Sequence, residues 1–221
     1  MSFKFDLMLV TFLDSKTDRC LLLGDVGHGK KSLTSLKTTA VRLELDLKDY
    51  KVLILVEGPK NGEILPSDEK DFADLKKHGA DVRGCEDNLS LCTLKEIEAF
   101  QAIKFELANG PESIYNKAHA KNKYNLEKRI LDANKSWEIL IATEKLRYKK
   151  IILCCGTSHL PAFVGNKFEN EHPIHPGLMN APSLKASLCA FTVEASNDGA
   201  GWYRPEKLEA PGSFAKVRTI E

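Results

Sequence analysis

Imidazole and carboxylate side chains follow the ends of four candidate strands in this sequence. The residues are His28, Glu57, Glu86 and His159. Two imidazoles with two or more carboxylates can hold a divalent metal, and they can equally run general acid–base chemistry on a bound water molecule. If the four candidate strands belong to one parallel sheet, one edge of that sheet carries all of this chemistry.

Three apolar runs and one short mixed segment, 80–85, predict the strands of the sheet that would position these residues. They cover residues 19–23, 52–56, 80–85 and 151–155. The runs 52–56 and 151–155 are apolar on both faces, which is typical of central parallel strands. Helical periods separate the runs, so the expected fold is α/β, with a central, mostly parallel sheet flanked by helices. Ligands of such sheets bind beyond the carboxyl ends of the strands.

The remaining segments predict helices and two further strands. Helices are expected over 33–47, over 67–79 with Ser67 as the N-cap, from Thr93 to Leu107 as a capping-box helix, over 125–145 and over 183–188. Residues 5–12 and the polar turn 14–18 predict a first strand that pairs with 20–23, a β-hairpin-like start. Residues 189–194 resemble a strand.

Length and composition predict one domain. The chain has 221 residues, 43% of them hydrophobic, with 32 Lys and Arg against 31 Asp and Glu. These values favour a single α/β domain over residues 1–221, with a core over about 19–195 and a loop-rich tail over 197–221. A net charge of +1 argues against a broad nucleic-acid footprint, so no nucleic-acid partner is expected. The oligomeric state is left open.

No apolar stretch reaches the roughly 18 residues of a membrane-spanning helix. The amino terminus has no secretory signal pattern, and the six cysteines form no Cys-x-x-Cys pair. We therefore expect a cytoplasmic, reducing location without a membrane span. Secretion through a signal-independent machine, as for a bacterial effector, is the open alternative.

Four short motifs resemble the erythromycin-esterase, ChaN-like and TraB/Tiki superfamily. They are Gly24-x-x-x-His28, Val56-Glu57-Gly58-Pro59, Gly84-Cys85-Glu86-Asp87 and Gly156-Thr-Ser-His159. The superfamily is marked by two Gly-x-x-His type motifs, by acids at intervening strand ends, and by an arginine on the helix before the last motif. Arg129 takes that place here. The resemblance covers about residues 19–190, and the first motif has one residue more than a strict Gly-x-x-His.

The resemblance implies a hydrolase of ester or peptide bonds that acts on a small-molecule or peptide substrate. The implied catalytic residues are His28, Glu57, Glu86, Arg129 and His159. Asp25, Asp87 and Asn134 are the expected substrate-binding residues. A divalent Mn, Co or Zn ion, if one is bound, would have His28, Glu57 and His159 as its ligands.

The sequence leaves alternative catalytic roles open for these residues. His28 or His159 would act as the base, or both would bind metal beside Glu57. Glu86 would orient a histidine or accept a proton. Arg129 would hold an anionic substrate group or stabilise the oxyanion of the transition state.

Two other functions compete with this interpretation. Gly24-Asp-Val-Gly-His-Gly-Lys-Lys-Ser32 comes close to a nucleotide-binding P-loop, but Lys31 stands where a hydroxyl should bind magnesium and Ser32 comes one residue late. A non-catalytic haem- or anion-binding module is the other possibility, with His172 or His175 as a haem ligand. Cys154 and Cys155 belong to an apolar run, so packing is favoured over a nucleophilic role.

Overall fold

The computed structural model describes residues 3–25, 31–156, 159–160, 177–178, 181, 183–184, 188–193 and 202–203. Helices and strands alternate along these residues, which is the pattern of an α/β fold. The elements are α1 (Phe3–Asp14), β1 (Cys20–Asp25), α2 (Lys31–Arg42), β2 (Val52–Lys60), a 3₁₀ turn (Pro66–Asp68), α3 (Glu69–Lys77), β3 (Asp81–Glu86), α4 (Asn88–Ala108), α5 (Glu112–Glu144), β4 (Lys150–Gly156), β5 (Leu188–Val193) and β6 (Trp202–Tyr203).

The strands form one sheet with the order β3-β2-β4-β1-β5-β6. Parallel pairing links β3 to β2, β2 to β4, β4 to β1 and β1 to β5, whereas β6 is antiparallel to β5. The prediction of an α/β fold with a central, mostly parallel sheet is therefore confirmed. The carboxyl ends of β1, β2, β3 and β4 lie at the same edge, because these strands are mutually parallel.

Helices cover both faces of the sheet, and this explains why its central strands are continuously apolar. One apolar core joins α1, α2 and α3 to one face, with Leu21, Ile54 and Ile152 among its strand residues. The second core joins α5 to the opposite face, with Trp137 at its centre. Alternate residues of each strand thus enter different cores.

The amino-terminal segment corrects one prediction. Residues 3–14 form the helix α1, not a strand, so the β-hairpin-like start is wrong. The side chains that α1 buries are Phe5, Met8, Leu9, Phe12 and Leu13. Their spacing of three, one, three and one positions places them on one helical face. This stripe packs into the core shared with α2 and α3.

Several helix boundaries also differ from the predictions. Helix α4 begins at Asn88, where Asp87 is the N-cap, so the capping box at Thr93 is not used. Instead, the Thr93 hydroxyl donates to the carbonyl of Leu89 inside the helix. Helix α5 begins at Glu112, well before the expected start at residue 125. Asp68, not Ser67, occupies the N-cap position of α3.

The predicted strand over 189–194 is confirmed as β5. The expected helix over 183–188 gives way to a turn at Ser183 and Leu184 and to the first residue of β5, Leu188, with residues 185–187 outside the described part. Most of the predicted tail over 197–221 also falls outside the described residues. Within the described chain, no helix is long and apolar enough to cross a membrane.

Candidate active site

Four of the five predicted catalytic residues meet at the carboxyl edge of the sheet. Glu57 belongs to β2, Glu86 is the last residue of β3, His159 follows β4, and Arg129 lies on α5. The Arg129 guanidinium contacts both carboxylates, and the His159 imidazole contacts Glu57. The fifth residue, His28, lies outside the described residues.

An irregularity in β2 places Glu57 at this edge. The register between β2 and β3 shifts between Val56 and Lys60, as in a β-bulge. Gly58 supplies the left-handed conformation that this bend requires, with φ of +107°. Gly84 on β3 must lack a side chain, because a Cβ there would lie 2.2 Å from the carbonyl oxygen of Pro59. Steric requirements of the backbone therefore explain why Gly58 and Gly84 occur in these two motifs.

Glu86 and Arg129 form a buried, forked ion pair. Nη1 of Arg129 donates to Oε2 of Glu86 over 3.0 Å, and Nη2 donates to Oε1. The amide of Gly58 donates to the same Oε1 over 3.2 Å. Burial raises the pKa of the Glu86 carboxyl, and the Arg129 charge opposes that rise without cancelling it. This ion pair links α5, which carries Arg129, to the end of β3.

Both oxygens of Glu57 face N–H groups. Oε1 lies 3.2 Å from Nη2 of Arg129 and 3.3 Å from Nε2 of His159, and Oε2 accepts from the amide of Gly156 over 2.6 Å. Burial raises the pKa of Glu57, but the charge and Nε2–H donor of the imidazolium form of His159, the Gly156 amide and Arg129 together outweigh it and lower the pKa to about 2. Glu57 is therefore ionised at neutral pH.

Asn134 and Trp137 hold the His159 ring, which is 2% exposed. Nδ1 lies 2.8 Å from Oδ1 of Asn134, whose Nδ2 donates to the His159 carbonyl over 3.4 Å. The Asn134 side chain accepts at Oδ1 and donates at Nδ2, so Nδ1 of His159 is assigned the proton. Nε2 of the same ring points at Glu57. The indole of Trp137 packs 4.5 Å from the imidazole, centroid to centroid.

The three predicted substrate-binding residues have internal partners. Asn134 holds His159, as described above. Asp25, buried at the end of β1, accepts from the amide and the hydroxyl of Ser32, both over 2.7 Å. Asp87 accepts from the amide of Ser90 over 2.7 Å as the N-cap of α4. Of the three, only Asp25 lines the cavity described next.

A cavity of about 380 Å³ opens beside the cluster. Its polar lining comprises Asp25, Ser32, Glu57, Arg129 and His159. Its apolar lining includes six aliphatic side chains: Leu33, Val56, Leu94, Ile97, Leu126 and Ile130. Cys154 and Cys155 also line it, but burial raises the pKa of both thiols far above the ordinary value. Neither thiol therefore supplies a thiolate nucleophile at neutral pH.

The contact between Asp25 and Ser32 weighs against the P-loop alternative. A phosphate bound by such a loop sits at the amino terminus of the following helix. Here the first turn of α2 is already capped by the Asp25 carboxylate, and the Ser32 hydroxyl donates to that carboxylate. A second anion at this helix terminus would be repelled. The intervening residues 26–30 lie outside the described part.

Of the proposed metal ligands the structure describes Glu57 and His159, and Glu57 already has N–H partners. Both Glu57 oxygens accept from N–H donors, and a cation at Oε1 would lie beside the Arg129 guanidinium. Within the described part of the chain, no group of three or more His, Cys, Asp or Glu side chains could hold a metal ion. The third predicted ligand, His28, and the suggested haem ligands His172 and His175 are not among those residues.

Comparisons with protein-family models, with curated proteins and with solved structures gave no match. The chemistry of the cluster is therefore argued from its geometry and from the motifs.

Sequence reasoning missed the groups that support the cluster from behind. The Gly58 and Gly156 amides bind its carboxylates, and Trp137 packs on its histidine. The Ser32 hydroxyl binds Asp25, which lines the same cavity. One signal was available, because Arg129, Ala133 and Trp137 recur every four residues along α5 and so share a face.

Proposed function

We propose that this protein is a hydrolase of ester or peptide bonds, of the erythromycin-esterase, ChaN-like and TraB/Tiki type. One observation supports this proposal above all others. Glu57, Arg129 and His159 converge from two strand ends and one helix on the wall of a single cavity, and Glu86, from a third strand end, holds Arg129 from behind. The role of His28 in this proposal follows from the resemblance alone.

His159 acts as the general base in the proposed reaction. Asn134 fixes the proton on Nδ1, so Nε2 is the atom that can take a proton from water. The Glu57 carboxylate, 3.3 Å from Nε2, stabilises the imidazolium that forms.

Arg129 and Glu86 act as positioning residues in this scheme. The guanidinium contacts both carboxylates and so fixes Glu57 relative to His159. This differs from the sequence-based expectation that Arg129 holds an anionic substrate group. Its Nη atoms already donate to two carboxylates, so its charge is matched before any substrate binds.

A hydrolysis screen tests the proposal. Purified protein is assayed against chromogenic esters of graded acyl length and against a peptide library. The variant His159→Ala removes the proposed base, and His119→Ala removes an exposed histidine of α5 as the matched control. We expect turnover in the wild type and in His119→Ala, and loss of turnover in His159→Ala. Full activity in His159→Ala, or no hydrolysis by the wild type, would refute the proposal.

A further inference from the structure

The charge and the walls of the cavity together restrict what can enter it. Among the described lining residues, Arg129 and His159 are the only side chains that can carry positive charge. Arg129 is matched by Glu86 and Glu57, and His159 faces Glu57. The described lining therefore offers no uncompensated cation to a ligand.

Much of the remaining lining is aliphatic. Leu94 and Ile97 come from α4, Leu126 and Ile130 from α5, and Leu33 from α2. Leu126 is 40% exposed, so it lies where the cavity meets solvent. An apolar group that enters here removes aliphatic surface from water, which favours its binding.

We propose that the part of the substrate which enters the cavity is apolar and uncharged, the acyl portion of a neutral ester or amide, and that carboxylates are excluded. This inference rests on the proposed function for the bond that is cleaved. A carboxylate placed here would be desolvated beside Glu57 without a free cation to pair with. A neutral acyl group has no such cost.

The same charge distribution helps the product to leave. Water adds its oxygen to the acyl carbon, the bond to the leaving alcohol or amine breaks, and that group takes one proton. The acid loses its remaining proton to solvent and becomes a carboxylate. The product is then an anion beside the ionised Glu57, whereas the substrate was neutral. Repulsion between the two carboxylates favours release.

Binding of matched probes tests the inference without turnover. Octanamide and octanoate have the same chain length and differ in charge at pH 7, where a carboxylate is ionised. We expect octanamide to bind the wild-type protein at least tenfold more tightly than octanoate in isothermal titration calorimetry. Equal affinity, tighter binding of octanoate, or no binding of octanamide would overturn the inference.

Two variants and one control test whether the cavity wall and the counter-charges of Arg129 cause the preference for octanamide. Leu126→Asp places a charge on the cavity wall and should weaken octanamide binding at least tenfold, whereas Ile139→Asp, at an exposed aliphatic position of the same helix, should leave it unchanged. Glu86→Gln removes one counter-charge of Arg129 and should raise octanoate affinity relative to octanamide. Unchanged octanamide affinity in Leu126→Asp, or an unchanged preference in Glu86→Gln, would contradict the inference.

The outcomes separate this inference from the proposed function. If octanamide binds as expected but no ester or amide of octanoic acid is hydrolysed, the hydrolase proposal fails and the ligand preference stands. If esters are hydrolysed but octanoate binds as tightly as octanamide, the ligand preference fails and the hydrolase proposal stands.

Discussion

Nε2 of His159 lies 3.3 Å from Oε1 of Glu57, and these residues come from the ends of two adjacent strands, β4 and β2. Asn134 binds the other ring nitrogen, so the imidazole is held between an amide and a carboxylate. The consequence for Glu57 is electrostatic: the nearby N–H groups and positive charges favour its ionised form. The stability of the fold therefore depends on the charge of Glu57.

Replacing Glu57 with Gln should change the acid sensitivity of the protein. The pKa of Glu57 is lowered from its ordinary value of 4.5 to about 2. A carboxyl whose pKa is depressed by folding stabilises the native state above its unfolded pKa, and this contribution is lost as the pH falls through the folded pKa. The wild type should exceed Glu57→Gln in free energy of unfolding by up to about 3 kcal/mol at pH 7. This difference should narrow as the pH falls below about 4.5.

Urea unfolding of both proteins between pH 7 and pH 3 measures that difference. Glu63→Gln is the control, because the Glu63 side chain is exposed. A constant difference between the wild type and Glu57→Gln over the whole range would show that the cluster does not hold Glu57 in its ionised form.

Removing Arg129 should destabilise the protein strongly. The Arg129→Ala variant leaves Glu86, fully buried, without its forked partner. Loss of one member of a buried ion pair costs about 3–5 kcal/mol, because the remaining charge is uncompensated. Lys128→Ala removes the neighbouring surface cation, which pairs with Asp132, and should cause no measurable loss. Thermal and urea unfolding measure both variants, and similar stability of the two would contradict this role for Arg129.

The sheet was predictable from the sequence, but the first helix was not recognised. Runs such as 52–56 are apolar on both faces because helices cover both sides of the sheet. The run 5–12 is also mostly apolar, so composition alone favoured a strand. Its spacing carried the correct signal, since Phe5, Met8, Leu9 and Phe12 lie on one helical face.

The grouping of the site residues at the carboxyl edge of the sheet was also predictable from the sequence. Parallel strands bring their carboxyl ends together, so Glu57, Glu86 and His159 could be grouped from strand order alone. Hydrogen-bond partners could not be predicted in this way. Whether Asn134 binds substrate or His159 depends on the rotation of α5 and on the path of the chain after β4, and a strand-end argument contains neither.

Substitutions at His159 and Asn134 should have graded effects on the hydrolysis of any substrate found in the screen. His159→Ala should abolish turnover, because it removes the proposed base. Asn134→Ala keeps the imidazole but releases Nδ1, so we expect kcat to fall by about tenfold to a hundredfold, less than the roughly 10²- to 10⁴-fold that a positioned acid–base group contributes, because the base itself remains. KM should change little, since Asn134 does not line the cavity. A change in KM alone would instead favour the substrate-binding role first expected of Asn134.

Removal of divalent metal should leave the fold intact. Glu57 is held by the Arg129, Gly156 and His159 nitrogens, and these contacts need no metal ion. We therefore expect the same melting temperature before and after dialysis against EDTA. A lower melting temperature that Mn, Co or Zn restores would contradict this expectation, and it would support the alternative ligand set of His28, Glu57 and His159.

Nucleotide should not stabilise the protein, because the first turn of α2 already binds the Asp25 carboxylate. A ligand that binds only the native state raises its stability by about 2.7 kcal/mol at a concentration 100 times its Kd. We expect no increase in melting temperature with millimolar ATP or GTP and magnesium. The same measurement on Asp25→Asn serves as a control, since this variant removes the repelling charge but keeps a capping side chain. A rise of several degrees in the wild type would favour the P-loop alternative, whereas a rise confined to Asp25→Asn would show that the carboxylate is what excludes phosphate.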